Sequence, residues 1–341
     1  MSGALDASGV VELAVLSRSG LDESRHLGAA AVVGPDGSLL TGLGDIDALV
    51  YGRSSLKFFQ AITVLRAGVT LEGAQLVLAS ASHAGTPAHV AVVREVLDRA
   101  GLTEDDLQCP IDWPTDRAAR RAATEPSRLF MNCSGKHAAF LLACIDNGWP
   151  TENYLDPAHP LQQRIRATVE EFAATDPSNS PVLSHSPDQS HSADQSHGGI
   201  GHVGVDGCGA PVFAVTLRGL ATAIGRVSRD SDGARLAAAI LAEPWALDGE
   251  GRQNTVVIEQ LGLLAKGGAE GVIVMATPDG TAVALKMIDG SPRATTLVAL
   301  QLLASVGAVP QAEADRVSQL TTERVLGGGV PVGEIRASFA R

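Results

Sequence analysis

Of the 26 basic residues in the chain only Lys57, Lys136, Lys266 and Lys286 are lysines, and arginine supplies the rest. Arginine keeps its proton inside a protein, whereas lysine can lose one when burial or a nearby cation lowers its pKa. The few lysines are therefore candidates for positions that need a titratable amine, and chance survivors of a coding bias are the alternative. Lys57 closes the run Arg53-Ser54-Ser55-Leu56-Lys57. Phe58, Ala61, Ile62 and Leu65 then recur at helical spacing until Gly68, which predicts a helix starting at or near Ser54. Ser54 and Lys57 share one face of its first turn. A hydroxyl nucleophile, an amine base and the electropositive end of a helix would meet there. The i, i+3 spacing favours Ser54 over Ser55, although a serine-capped helix with a lysine in its first turn is also an ordinary helix start.

Three further stretches bring reactive groups together. Ser80-Ala81-Ser82-His83 follows an apolar run, where a tight turn can expose a hydroxyl. Asn132-Cys133-Ser134-Gly135-Lys136-His137 places thiol, hydroxyl, amine and imidazole at a loop-to-helix junction, and Asp206-Gly207-Cys208 sets a carboxylate and a thiol in a glycine-lined loop. Cys133, Cys208 and Lys136 suit either buried, unliganded thiols or a site for a soft or borderline metal such as zinc.

The elements that must hold these groups can be read coarsely. Val10 to Leu16 reads as a strand, and Ala29 to Val33 with Ser38 to Leu43 as a hairpin around Gly34-Pro35-Asp36-Gly37. From Ser54 to about Ala173 helices dominate: Thr86-Pro87 to Gly101, Ser134 to Asn147 and Pro160 to Phe172. Ala74 to Ala79 is expected as a short buried strand. Helices resume after Pro211, including Ala234 to Ala242, and Thr255 to Ala265 is expected as a helix ending at Lys266. Gly271 to Ala276 and Thr281 to Met287 form a hairpin, Pro292 to Val306 a helix and Val330 to Phe339 a last strand. Within residues 176–202 the repeat Ser-His-Ser-Pro-Asp-Gln and Ser-His-Ser-Ala-Asp-Gln lacks any apolar side chain that could build a core, and the stretch reads as a mobile surface insertion. The fold class expected is α+β within one catalytic unit of 341 residues. An antiparallel sheet would be built from both termini (1–53 and 255–341), with a mainly helical lobe, 54–254, inserted between.

Totals exclude some partners. Against the 26 basic residues stand 38 acidic ones, a net charge of −12 that argues against nucleic acid or an anionic membrane. No apolar run reaches membrane-spanning length. The first residues lack a basic start and apolar segment, and Cys109, Cys133, Cys144 and Cys208 form no Cys-x-x-Cys pair. A reducing, cytoplasmic setting is expected.

Together these residues resemble the class 3 L-asparaginases, serine amidohydrolases with a fold related to the serine β-lactamases and penicillin-binding proteins. The resemblance is carried in order by Arg53-Ser54-x-x-Lys57, Ala81-Ser82-His83, Asn132 to His137, His159-Pro160-x-Gln162, Asp206-Gly207-Cys208, Gly249-Glu250-Gly251-Arg252 and Lys266-Gly267. It implies two Ser/Lys tandems, Ser54 with Lys57 and Ser82 with Lys266. It also implies a zinc position at Cys133, Lys136 and Cys208, near the substrate but not the source of the nucleophile, and a homodimer. Asparagine is the substrate implied. Chemical complementarity adds Arg53 or Arg252 for its carboxylate and Asp206 for its ammonium group, with His83, His137 and Gly207 lining the same site. The alternatives are a β-lactam or ester hydrolase using the same Ser-x-x-Lys, and an inactive zinc- or amino-acid-binding relative. Lys-Gly-Gly at 266–268 rather than Lys-Thr-Gly speaks against the first. Two features depart from the resemblance: the insertion at 184–197, and Ser55 where a small apolar residue is expected.

Overall fold

The computed structural model describes residues 3–175 and 199–339. Strand β1 (Val11–Arg18) turns back into the long β2 (Leu21–Val33), followed by β3 (Leu39–Leu43) and β4 (Leu49–Tyr51). A 3-10 turn, Arg53–Leu56, leads into α1 (Lys57–Arg66), then α2 (Gly73–Ala79), α3 (Pro87–Ala100), α4 (Arg117–Ala122), α5 (Ser134–Asn147) and α6 (Pro160–Ala173). After the undescribed segment come β5 (His202–Val205), β6 (Pro211–Thr216), α7 (Leu217–Arg226), α8 (Ser231–Ala242) and α9 (Gln253–Leu261). The chain ends with β7 (Leu264–Gly268), β8 (Val272–Ala276), β9 (Ala282–Met287), α10 (Thr295–Ser305), α11 (Gln311–Thr321), β10 (Val325–Gly327) and β11 (Val330–Ala337).

The architecture is mixed α+β, with a sheet made from both ends of the chain and a helical middle. The main sheet runs β10-β11-β1-β2-β9-β8-β7, with β3 also on β2, and its pairings are antiparallel. Residue pairs such as Ala14 with Ala337 and Ala31 with Ala284 join N-terminal to C-terminal strands directly. Every residue of β8 is buried, so both faces are covered there. α7 and α10 pack on β8 and β9. No helix among the described residues is long and apolar enough to cross a membrane.

Helix signals in the sequence translate directly. Thr86 caps α3 by accepting the His89 amide, and Gly101 ends it in the left-handed conformation (φ 68°). Gly148 does the same for α5 at φ 64°. Four expectations need correction. Residues 74–79 are helical, not a strand: Leu76 to Ala79 are all buried, and a short run buried on every side carries no period to separate the two. Pro211 to Thr216 is a strand, β6, at the centre of a second sheet β4-β6-β5. The helix expected to reach Ala265 stops at Leu261, where Gly262 takes φ 64°, so Lys266 stands on β7 opposite Val274. The regular helix after Ser54 begins only at Lys57, and Ser54 lies in the 3-10 turn behind Arg53, which has φ 50°. The repeat at 184–197 lies outside the described residues, and the range assigned to that insertion overlaps β5 at His202.

α5 approaches α2 so closely that a Cβ on Gly135 would lie 2.7 Å from the Leu78 carbonyl oxygen and 2.9 Å from Leu78 Cβ. Backbone cannot yield as a side-chain tip can. Gly135→Ala is therefore expected to cost about 1–3 kcal/mol by overpacking, read as a lower urea midpoint with unchanged slope. An unchanged midpoint would mean that the two helices separate without penalty.

Candidate active site

Three remote segments converge on one hydroxyl. Lys57 Nζ, from the first turn of α1, lies 3.0 Å from Ser82 Oγ and 2.6 Å from the Ala81 carbonyl oxygen. Lys266 Nζ, from β7, lies 2.7 Å from the same Ser82 Oγ and 3.0 Å from the Gly267 carbonyl oxygen. Both lysines therefore meet at Ser82, which lies between the two amines. Both lysines are at most 1% exposed. Burial pushes Lys266 down to about 7, the charge of Lys57 adds to the shift, and Asp248 and Cys133 oppose it.

Ser54 and Ser55 have different environments. Ser55 is fully buried and donates to the Gly52 carbonyl at 2.5 Å, a structural bond inside the turn. Ser54 is partly exposed. A Cβ on Gly268 would lie 3.4 Å from the Ser54 amide nitrogen, so the end of β7 runs directly beside the serine turn.

Ser82 is held from both sides. Its amide donates to the Leu247 carbonyl, and the next amide, His83, donates to Asn132. His83 Nδ1 accepts the Gly85 amide at 3.1 Å and Nε2 meets Ser134 Oγ at 2.9 Å, while Ser134 Oγ donates to the Leu129 carbonyl. Both ring nitrogens are thus occupied, and the place expected for His83 in contacting substrate becomes one of bracing the Ser82 turn against α5. Burial, then His89 and Lys57, holds the His83 pKa well below its ordinary value.

Beyond that brace lie the thiols. Lys136 Nζ is 3.1 Å from Cys208 Sγ, and Cys133 Sγ is 3.0 Å from Asn132 Oδ1. A hydrogen bond from Cys133 lowers the Cys208 pKa against the opposing effect of burial, with Lys136 lowering it further; the same bond and burial raise Cys133. Of the two, Cys208 is the thiol on which negative charge is favoured. Burial opposes charge on Lys136, yet Cys208 and Cys133 outweigh it and the net shift is upward. Cys109 and Cys144 are buried thiols raised to about 12 by desolvation. Among the described residues no cluster of three or more histidine, cysteine or acidic side chains could hold a metal. The Cys133, Lys136 and Cys208 set nevertheless fits a borderline ion, with two sulfurs and an amine gathered and the Cys208 thiol pushed toward its anionic form. His137, beside them, is fully buried and its Nε2 has no formed hydrogen bond.

Arg53 donates from Nε to Asp206 Oδ1 at 2.8 Å, and that oxygen also accepts the Gly207 amide at 2.8 Å. The Arg53 terminal nitrogens and Asp206 Oδ2 make no hydrogen bond among the described residues. Arg252 instead pairs with Asp248 at 3.1 Å and with Thr115 Oγ1 at 3.2 Å. Lys286 donates to the Glu270 and Met287 carbonyls, an ordinary turn staple. A groove of about 610 Å³ lined by residues of α10, α11, β10 and β11 contains none of these groups.

Sequence reading missed Asp248 and Asn254. Asn254 Nδ2 donates to Asp248 Oδ2 at 2.9 Å, and its Oδ1 accepts the Gly267 amide at 3.0 Å, so one side chain fixes both the backbone of β7 and the carboxylate that acts on Lys266. The only available signal was their position flanking Gly249-Glu250-Gly251-Arg252.

A family model described as L-asparaginase II matches residues 14–184 and 189–337 of the chain. No curated protein matches it.

Asn254→Leu keeps the side-chain volume but leaves the Gly267 amide and the Asp248 carboxylate without this partner. A loss of about 1–3 kcal/mol is expected for each group left unsatisfied, measured by denaturant unfolding; stability equal to the parent would show that neither bond matters.

Proposed function

The chain belongs to the L-asparaginase II family and is an amidohydrolase, and on that footing we propose that it hydrolyses asparagine to aspartate and ammonia through a serine acyl-enzyme. The observation that carries the chemistry is the convergence of Lys57 and Lys266 on Ser82. Two like charges buried around one oxygen are unfavourable, and Lys266, at about 7, is the amine that gives way. An uncharged Lys266 accepts the Ser82 proton. Ser82 in turn accepts a hydrogen from Lys57, whose other bond goes to the Ala81 carbonyl.

As Lys266 takes the Ser82 proton, Lys57 passes one of its own to Ser82, and the lone pair this frees faces the partly exposed Ser54 hydroxyl three residues earlier. Ser54 gives its proton to Lys57 as Ser54 Oγ attacks the side-chain amide carbon, and Lys57, Ser82 and Lys266 form a relay that stores that proton. The tetrahedral intermediate breaks its C–N bond as the relay returns a proton to nitrogen, releasing ammonia. Water then adds to the ester and restores the Ser54 hydroxyl. Backbone N–H groups around Ser54 would hold the oxyanion, each donor worth about 2.7–4 kcal/mol. The free fork of Arg53 suits the substrate carboxylate and Asp206 Oδ2 its ammonium group, a zwitterion match that supports an amino-acid amide.

The fit of Cys133, Lys136 and Cys208 supports zinc at that position. Zinc held there would supply fixed positive charge beside the substrate; the nucleophile comes from Ser54. Likeness to the serine β-lactamase fold is proposed on the same footing, from antiparallel β7 bordering the Ser54 turn.

Ser54→Ala is expected to abolish ammonia release from asparagine with unfolding unchanged, while Ser55→Ala retains turnover and loses some stability. An active Ser54→Ala with an inactive Ser55→Ala would overturn the choice of nucleophile. Because the relay needs Lys266 uncharged, kcat/KM should rise with pH through about 7. Asp248 favours the charged form of Lys266, so Asp248→Asn should move that limb to lower pH; a limb that stays in place would detach it from Lys266.

A further inference from the structure

Behind the thiols lies a hydrogen-bond chain that the Ser/Lys chemistry does not use. The Gln108 amide donates to Tyr154 Oη at 2.9 Å, and Tyr154 Oη meets His137 Nδ1 at 2.7 Å. Tyr154 is fully buried. Its oxygen already accepts from Gln108, and a buried hydroxyl must also place its own proton. Among the described residues the available acceptor is His137 Nδ1. The neutral imidazole can then carry its proton only on Nε2, the nitrogen left without a formed bond. Cys208 is the acceptor within its electrostatic reach, since each of the two residues shifts the pKa of the other, although no hydrogen bond between them is formed. The backbone agrees, since a Cβ on Gly209 would lie 3.2 Å from Leu155 Cδ1 and 3.9 Å from the Gln108 carbonyl oxygen. The Cys208-Gly209 turn therefore sits on the same segments, around Gln108 and Tyr154, that orient His137. Lys136, next to His137 on α5, reaches the same sulfur from its other side.

We propose that His137, held as its Nε2–H tautomer by Tyr154, is a positioning residue for Cys208, donating to its sulfur and fixing that sulfur beside Lys136. His137 is thus a support behind the metal position and neither one of its ligands nor a substrate contact. The proposal rests on the reading of Cys133, Lys136 and Cys208 as a zinc position. Groups of this kind orient ligands and commonly change metal affinity by 10–100-fold when removed.

The test is zinc affinity of the untagged full chain, by competition with a chromophoric chelator, for the parent, His137→Leu, His137→Gln and Tyr154→Phe. His137→Leu should bind zinc about 10–100-fold more weakly, and His137→Gln, whose amide N–H can replace the Nε2 donor, should recover most of that loss. Tyr154→Phe keeps the ring but frees the tautomer and should fall between. Rescue by glutamine is what a merely space-filling imidazole would not produce. Parent-like affinity in His137→Leu, or in Tyr154→Phe should the leucine variant fail to fold, would overturn the proposal while leaving the zinc reading standing. A folded parent that binds no zinc would overturn both.

Discussion

Two buried amines meet one part-buried hydroxyl, and the remainder of the site follows from that crowding. Lys57 and Lys266 both reach Ser82 Oγ from positions at most 1% exposed. A single buried ammonium is costly, and two around one oxygen also repel. The cluster settles with one amine titrating near neutrality. Carbonyl oxygens of Ala81 and Gly267 take the hydrogens that each nitrogen has left to give.

Holding those groups together requires segments that are far apart in the chain. α1 supplies one amine, the turn after α2 the hydroxyl and β7 the second amine. The antiparallel register that sets Lys266 opposite Val274 also brings Gly268 alongside the Ser54 turn, where the small residue permits the approach. Asn254, on α9, bonds both Asp248 and the backbone of β7, so one side chain links the carboxylate that tempers Lys266 to the strand that carries it. Arg53, at a positive φ that a non-glycine residue rarely adopts, is clamped by Asp206 beside the Ser54 turn.

Across the molecule the thiol cluster is not independent of the serine–lysine cluster. His83 follows Ser82 directly, and its imidazole bonds Ser134 on the first turn of α5. The same turn bears Cys133, Lys136 and His137. Lys136 donates to the Cys208 sulfur, and negative charge there would otherwise be buried without compensation. Displacement of α5 would move both clusters together.

Much of this was legible in the residues themselves. Helix ends marked by Thr86-Pro87, Gly101 and Gly148, and strands at both termini, could be read because caps and periodicity are local properties. The scarcity of lysine pointed to three amines that the fold buries beside Ser82 and Cys208, and the ordered motifs led to the family that the chain proved to belong to. Other features were out of reach. Leu76 to Ala79 are buried on all sides and carry no period, and β6 exists because β4 and β5 pair with it. Lys57 could be matched with Ser54 by spacing, yet its formed bond is to Ser82, and His83 is turned away toward Ser134. Residue type and local rhythm are written along the chain. Which amine meets which hydroxyl, and how little water lies between them, depends on contacts between distant segments, and folding alone decides it.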